Sequence, residues 1–565
     1  MSFSIKYFLK PVVLDEHDLK RVSLICAFLL FIYEVYAVRV DYSEYLAYVV
    51  DSENAFFSAV TFICILVSFY AFYRLTLFAL SASWPYRTLC FVIFALSLFI
   101  EYAYQKALGR FSDDSDIETA VATTIDQQVA SLSMYISFKA LIPCIALLLL
   151  FLFIRSRTKQ GFKQFAVVNL LFVVSFVIFP TLIDQPFPTF ATAALYRTST
   201  DFLISGPISG RIRASSMGAL ATDRRPVAKP ALPVGYRPDN NIVVIVDESV
   251  MGDHLSLNGY ERRTTPVLDD LASRHILHNW GIAASASSAS RFTYYALVTG
   301  LTPDNFPDAN EFKVKTFPTI FQYAKAMNYT TYFFDGQMVA YWGANNEDTN
   351  YIDNWLGVHE ISDNRSFEPY DLDNQIADKV KSIIYGSKGN FIFIFKHGSH
   401  IPYQNNFPPD QEAWRPSYAT TDKFEIPSAD QLQSVKNAYD NSILYNVNSF
   451  FTNLIDDYSR IPNNSLLLYT GDHGQTLFVN GKASHGGKTK GEATVPLFII
   501  GKLDDKIDTG YKASHANIFP TLLDLMSYPR ELRDTGGLPS LLTARTVDSR
   551  PRFFNPGLTE KVPFD

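Results

Sequence analysis

Apolar residues are spread unevenly along this chain. Before residue 185 they form long runs, and after residue 240 they form short ones separated by polar, periodic stretches. Residues 165–183 carry no charge and are long enough to cross a hydrocarbon core of ~30 Å at about 1.5 Å per residue. Residues 55–72 are alike. Residues 134–154 hold one charge, Lys139, close enough to an end to snorkel; residues 22–38 hold Glu34, and residues 89–104 hold Glu101 among tyrosines. The pattern predicts a bundle of five transmembrane helices over residues 1–184. Five such runs so close together fit buried core helices poorly, and a cleaved signal peptide would not be followed by four more. A transporter would place polar residues around a shared cavity, for which Glu34 and Glu101 are thin support.

Basic residues orient the bundle. With the N-terminus inside, Lys6, Lys10, Lys20, Arg21, Arg74, Arg87, Arg155, Arg157, Lys159 and Lys163 face the cytoplasm, while the other side holds Arg39, Lys106 and Arg110 among many acids. That asymmetry follows the positive-inside rule, and an odd number of spans then puts everything after residue 185 outside the cytoplasm. Residues 185–239, rich in Pro, Ala, Ser and Arg, read as a linker lying along the membrane surface. Residues 240–565 read as an extracytoplasmic domain.

That domain opens on NIVVIV at 241–246, a continuous β-branched run of the kind buried on both faces of a parallel sheet. TTYFF (330–334), NFIFIF (390–395), SLLLY (465–469) and VPLFII (495–500) follow, with helical periodicity between them at 316–327, 373–385 and 429–456. Strand and helix alternate, predicting an α/β fold with a mainly parallel sheet. In such sheets ligands bind beyond the carboxyl ends of the strands.

Composition narrows the class. The 565 residues are 48% hydrophobic and 19% charged, below the roughly 25% charged that is usual in soluble proteins, so neither disorder nor a coiled coil fits. A net charge of −7 argues against nucleic acid as a partner. All four cysteines (Cys26, Cys64, Cys90, Cys144) precede residue 185. The outer domain therefore has no disulfide, and any metal there must take oxygen and nitrogen ligands.

The residues after each strand run carry the chemistry. Asp247-Glu248-Ser249 follows the first run, Lys396-His397-Gly398-Ser399-His400 the third, and Thr470-Gly471-Asp472-His473-Gly474 the fourth, with His485 twelve residues beyond His473. A single histidine after a strand is usually just a satisfied polar group. Carboxylates and imidazoles gathered at three strand ends suit Zn²⁺ or Mn²⁺.

These motifs, with Ser256-Leu257-Asn258-Gly259-Tyr260 after the first, resemble those of bacterial membrane-anchored phosphoethanolamine transferases of the alkaline phosphatase/sulfatase superfamily. The segment from His515 to Asp524 resembles a helix common to that superfamily. The five-span anchor also resembles these transferases and the lipoteichoic acid synthases. The resemblance implies an α/β/α sandwich, a divalent metal (zinc favoured, manganese possible) held by Glu248, Asp472 and His473, and a Ser or Thr that is both fourth ligand and covalent nucleophile. His400 and His485 match residues that line the phosphoryl site. Thr470 and Lys488 are further candidates to touch phosphate, although Lys488 reads more readily as a solvated surface lysine.

The nucleophile lies in 283–300, AASASSASRFTYYALVTG. In the superfamily it commonly has Ser or Thr three residues on and a small residue followed by Gly at nine and ten. Ser290 has Thr293, Thr299 and Gly300 at those places; Ser287 and Ser288 stay open as alternatives. Many members flank this position with a cystine, and here those positions are not cysteine.

The expectation is transfer of phosphoethanolamine from a phospholipid such as phosphatidylethanolamine to an external glycan or glycolipid through a phosphoserine, in the periplasm of a bacterium, by a multi-pass inner-membrane enzyme. A phosphoglycerol transferase or an ester hydrolase of the same fold is the alternative, and an inactive scaffold a third. The topology has a direct check. A phosphatase reporter fused after Ile183 should be active and one fused after Arg157 inactive; the reverse pattern would overturn both the span count and the lipid-donor argument.

Overall fold

The computed structural model describes residues 12–37, part of 70–95, residues 145 and 154–156, and residues 224–565 apart from 306–313, 315, 338–347, 364–367, 418–427, 456–463, 479–484, 505, 534–536 and 557–560. The chain divides into two compact units, Met1–Gly218 and Ala219–Asp565. In the first, strand Val12–Leu14 pairs in parallel with Ile154–Ser156, and helix Glu16–Ala37 covers most of the expected span 22–38. That helix opens on a charged turn in which Lys20 pairs with Glu16 at 2.8 Å. Among the described residues no helix is long and apolar enough to cross a membrane. The expected spans 55–72, 89–104, 134–154 and 165–183 fall wholly or mostly outside the described residues.

The second unit is built on a sheet of seven strands: β1 (Asn241–Asp247), β2 (Leu277–Ala284), β3 (Thr330–Asp335), β4 (Asn354–Leu356), β5 (Asn390–Phe395), β6 (Ser465–Gly471) and β7 (Thr494–Ile500). Their order is β2-β7-β6-β1-β5-β3-β4. β1, β3, β4, β5 and β6 run parallel; β7 runs against them and against β2. The five apolar runs of the sequence supply β1, β3, β5, β6 and β7. In β1 and β5 every residue is buried, as a strand covered on both faces requires.

Alternate side chains feed two cores. Ile242, Val244 and Val246 pack with Tyr294, Phe321 and Leu522 on one face, where the helices are α2 (Ser290–Thr299), α3 (Ile320–Ala326) and α8 (Ile518–Leu525). Val243 and Ile245 pack with Leu268, Ile376, Tyr439 and Phe450 on the other, under α1 (Pro266–Ser273), α4 (Val358–Ile361), α5 (Leu372–Gly386), α6 (Ala429–Ile443) and α7 (Phe450–Leu454). The result is a three-layer α/β/α sandwich.

One boundary differs from expectation. Residues 224–239, read as the end of a linker, pack on this unit: Arg224 makes a buried two-pronged ion pair with Asp348 (2.8 and 2.7 Å), and Val227, Leu232 and Tyr236 lie against the first core. A buried guanidinium needs such a partner, so the compact unit begins upstream of residue 240.

Pro496 stands inside β7, where it cannot donate to a ladder. The pairing explains its place. The β6 ladder ends at Leu497, and on the other side the β2 register shifts between Asn279 and Ile282, around Gly281 at φ +72°. This bulge re-aims β2 so that Ala283 and Ala284 lead straight to the serine-rich loop.

β1, β3, β5 and β6 all end at one edge, where their loops cross at close quarters. Gly398 takes φ +64°, and a Cβ there would lie 2.6 Å from both Asp247 Oδ1 and Glu248 O. Gly398→Ala should therefore cost about 1–3 kcal/mol in backbone strain alone, with the clash in addition. Urea denaturation checks this; an unchanged midpoint would refute it.

Candidate metal centre

Three strand ends converge. β1 delivers Glu248, β6 delivers Asp472 and His473, and β2 leads to Ser290 at the first turn of α2. Glu248, Asp472 and His473 are buried, and one ligand atom from each lies within 4.8 Å of the others. His473 Nε2 is 3.5 Å from Glu248 Oε1 and 3.5 Å from Asp472 Oδ2. Ser290 Oγ completes the group, 3.0 Å from His473 Nε2 and 3.2 Å from Glu248 Oε2.

The surrounding bonds fix each group. His473 Nδ1–H donates to the Gly474 carbonyl at 2.8 Å, which leaves the lone pair on Nε2, facing the carboxylates. Asp472 Oδ1 accepts from the Ser249 and His473 amides (2.9 and 2.7 Å). Gln475 Nε2 donates to Ser249 Oγ at 2.6 Å, and that hydroxyl donates to Glu248 Oε1 at 2.5 Å. Gln337 Nε2 donates to Glu248 Oε2 at 3.0 Å.

Asp472 Oδ2 is the exception. It is buried and accepts no hydrogen bond, an arrangement that costs a polar atom about 1–3 kcal/mol. Burial and the adjacent Glu248 drive the Asp472 carboxyl well above the usual carboxylate range. Burial alone would also raise Glu248, but His473, His400 and His485 hold it down, to about 2. Burial keeps His473 below the usual imidazole value, so it is neutral near neutrality. Two carboxylates and a neutral imidazole around an unsatisfied oxygen fit a divalent cation with oxygen and nitrogen ligands, such as zinc or manganese.

The structure separates the serines. Ser285 Oγ donates to the Ser287 carbonyl (2.6 Å), Ser287 Oγ accepts from the Ala289 amide (3.1 Å), and Ser288 Oγ donates to the Gly487 carbonyl (2.8 Å). Those three hydroxyls serve the loop. Ser290 alone of the four meets Glu248 and His473, and it does so at the positive end of the α2 dipole.

His400 and His485 flank the cluster. The His485 ring centroid lies 4.1 Å from that of His473 and 6.1 Å from that of His400. Thr470, expected as a candidate phosphate contact, is turned away: its buried Oγ1 meets His515 Nε2 at 2.9 Å. Its place in the β6 register, one residue before the strand's last position, sends it to the opposite side. His515, pushed down to about 3 by burial, also accepts the Ala286 amide at Nδ1 (3.1 Å). Lys488 is exposed. Asn258 braces its own turn, donating to the Gly252 carbonyl at 2.7 Å.

Three residues were missed in the sequence. Gln337 follows β3 and Gln475 follows the Asp472 motif, so the same strand-end rule reaches both. Ser249 stands in the first motif, but nothing in the sequence shows its φ of 62° or its bond to Glu248.

Comparison with known proteins agrees with this geometry. Residues 240–528 match the sulfatase family, just over half of the chain. Phosphoethanolamine transferase EptA of Helicobacter pylori is 24% identical over 273 residues, an alignment covering 46% of this chain and 47% of that protein; the chain thus spans about half the length of that relative. Phosphoethanolamine transferase EptC of Escherichia coli K12 is 23% identical over 432 residues, 72% of each chain. The structure of the integral membrane protein lipooligosaccharide phosphoethanolamine transferase A from Neisseria meningitidis superposes with a TM-score of 0.59 at 18% identity, covering 92% of this chain and 98% of that one, a likeness of fold. With Glu248, Asp472, His473 and Ser290 gathered inside the matched region, this chain belongs to the sulfatase family.

Proposed function

We propose that this chain transfers phosphoethanolamine from a phospholipid donor such as phosphatidylethanolamine to an external glycan or glycolipid acceptor, through a phosphoserine on Ser290. The relatives named as phosphoethanolamine transferases support the group transferred. The observation that carries the mechanism is Ser290 Oγ lying 3.0 Å from His473 Nε2 and 3.2 Å from Glu248 Oε2, beside the unsatisfied Asp472 Oδ2. Glu248, Asp472, His473 and Ser290 would hold the divalent cation. When bound, such a cation lowers the cost of ionising the serine hydroxyl and offsets charge on the phosphoryl oxygens.

The chain's own groups do the rest. Ser290 Oγ forms a bond to the donor phosphorus, and the bond from phosphorus to the diacylglycerol oxygen breaks. The α2 N-terminus favours the anionic ester on Ser290. The two flanking histidines differ in tautomer. His400 Nδ1–H donates to the Ile401 carbonyl at 2.7 Å, leaving Nε2 as an acceptor. Gln475 Nε2, oriented by its bond to Ser249, approaches His485 Nδ1 at 3.4 Å, which puts the ring proton on Nε2. His400 is therefore assigned to give a proton from Nε2, in its imidazolium form, to the leaving oxygen and to take one back from the acceptor hydroxyl that displaces Ser290, while the His485 Nε2–H is assigned to hydrogen-bond the phosphoryl oxygens. Attachment at the membrane would keep the domain beside its lipid donor, raising the donor's effective concentration.

Two lines of prediction, one on the cation and one on the intermediate, test this reading. Asp472→Asn should lower zinc content greatly and abolish transfer while the domain stays folded; elemental analysis finding wild-type stoichiometry with full activity would remove Asp472 from the site. Zinc should also raise the melting temperature more near neutrality than in mildly acidic buffer. Asp472 holds its proton more tightly in the folded chain than in the unfolded one, so the cation-free fold loses stability as pH rises from the usual carboxylate value through the raised one, and a bound cation removes that loss.

The second prediction concerns the intermediate. With donor present and acceptor absent, Ser290 should carry a phosphoethanolamine ester, detectable by peptide mapping. Ser290→Ala should abolish it and most turnover, while Ser290→Thr should keep some. Mass spectrometry of envelope glycolipids should show a phosphoethanolamine gain that depends on the chain. Release of free product without an acceptor would favour the hydrolase alternative, and a fully active Ser290→Ala would end the covalent mechanism.

A further inference from the structure

The loop that carries Ser290 is made of residues with little to bury. From Ala284 to Ala289 every side chain is Ala or Ser, and no cysteine is present to tie it. A loop of that composition has no apolar side chain larger than a methyl to anchor it, so hydrogen bonds from its backbone and its serine hydroxyls hold it. On one side, the Gly486 amide donates to the Ser288 carbonyl at 2.9 Å. On the other stands a segment remote in sequence. The Asn555 amide donates to the Ala286 carbonyl (3.0 Å), and the Ser288 amide donates to the Asn555 carbonyl (3.3 Å), a parallel bridge centred on Ser287.

We propose that residues 552–556 and 561–565 form a positioning clamp for Ser290, a reading that rests on Ser290 being the nucleophile. Its described residues are tied to one another and to the core. Phe553–Phe554 pair antiparallel with Val562–Pro563, and Phe554 and Phe564 are buried against Ala284 and Ala493. Arg552 crosses the base: its guanidinium donates to the Ile282 carbonyl at 2.9 Å and the Ala513 carbonyl at 3.2 Å and pairs with Asp565 at 2.8 Å. Asp565 is held down to about 2 chiefly by its hydrogen bond to Arg552. The Phe564 amide closes the loop onto the Arg552 carbonyl at 2.8 Å. The clamp thus grips both the end of β2 and the loop beyond it, two residues from Ser290.

The clamp contains none of the groups of the metal centre. Its effect passes through the backbone at Ala286 and Ser288: removing it frees the Ala286 carbonyl and the Ser288 amide, while His515 still holds the Ala286 amide and Gly486 the Ser288 carbonyl. A nucleophile displaced by about 1 Å can lose on the order of 100-fold in rate, so a loose loop should slow the chemical step without loosening donor binding.

The test compares the full chain with a variant lacking residues 552–565 and with Phe554→Ala, using phosphatidylethanolamine in mixed micelles as the donor. Expected are a kcat lowered roughly 10- to 100-fold, an unchanged donor KM and zinc content, and slower labelling of Ser290. Phe554→Leu should restore most of the rate, and so should a synthetic peptide of residues 550–565 added to the shortened chain. Full kcat in either folded variant overturns the clamp. So do parallel losses of melting temperature, zinc and kcat in Phe554→Ala that neither Leu nor peptide repairs, because these mark a general structural role. Ser290→Ala run alongside separates the two failures: if it is fully active the transferase mechanism falls, and if it is dead while the shortened chain keeps full kcat, only the clamp does.

Discussion

A buried ammonium underlies the strand-end edge of the sheet. Lys396 Nζ, at the end of β5, lies 2.5 Å from Asp247 Oδ2 and 3.7 Å from Asp373 Oδ2, and donates to the Asn446 carbonyl at 2.8 Å. The Tyr469 hydroxyl adds a further bond to Asp247 at 2.7 Å. None of these charges could stay buried alone, since each would carry a desolvation cost of several kcal/mol. Burial pushes Asp247 up to about 6 while Lys396 pulls it down. The pairing draws the ends of β1 and β5 and the start of α5 together. Asp373 then has both oxygens available for the amides of His397 and Gly398 (2.8 and 3.0 Å), which sets the turn that carries His400.

Above that neutralised layer, the next residues along the same strands leave their charge uncompensated. Glu248 follows Asp247, and Asp472 follows the end of β6, but no ammonium reaches them among the described residues. The contrast lies in the chemistry of the two layers. In the lower layer Lys396 pairs with Asp247 Oδ2 and lies near Asp373, although Asp247 Oδ1 is left without a hydrogen bond; the upper pair has a neutral imidazole and a serine hydroxyl for company and no ammonium, which suits an exchangeable cation. Two glutamines and Ser249 orient Glu248, so the ligand atoms are held without being neutralised.

Much of this was legible from one-dimensional pattern. Continuous β-branched and aromatic runs mark β1, β3, β5, β6 and β7, because a strand buried on both faces has no polar positions to disguise it. β2 is different. Its LHNWGIAA carries two polar residues and a glycine bulge, so neither alternation nor a run identifies it, and with it went the antiparallel edge. Glu248, Asp472 and His473 were legible because they follow recognisable strands, whereas Ser290, beyond the unrecognised β2, was read only from its spacing to Thr293, Thr299 and Gly300. What supports them was not: Gln337 reaches Glu248 from 89 positions away, His515 reaches Ala286 from 229, and Asn555 reaches the serine loop from farther still. Such contacts depend on sheet order and loop path, which local sequence does not encode. The packing of residues 224–239 was hidden for the same reason, since their proline-rich composition reads as linker until Arg224 is seen to meet Asp348.

The order of the strands also governs when the site can exist during synthesis. β1 emerges first, yet its two neighbours are β5 and β6, and the amide of Ser249 finds its acceptor on Asp472 only 223 residues later. Pairings this distant are slow to form, because a long loop must close before any contact rewards it. A nascent chain exposing Glu248 still lacks Asp472 and His473, the carboxylate and imidazole that lie beside Glu248 in the fold. The complete set of Glu248, Asp472 and His473 is thereby assembled only after the chain has been made as far as residue 473.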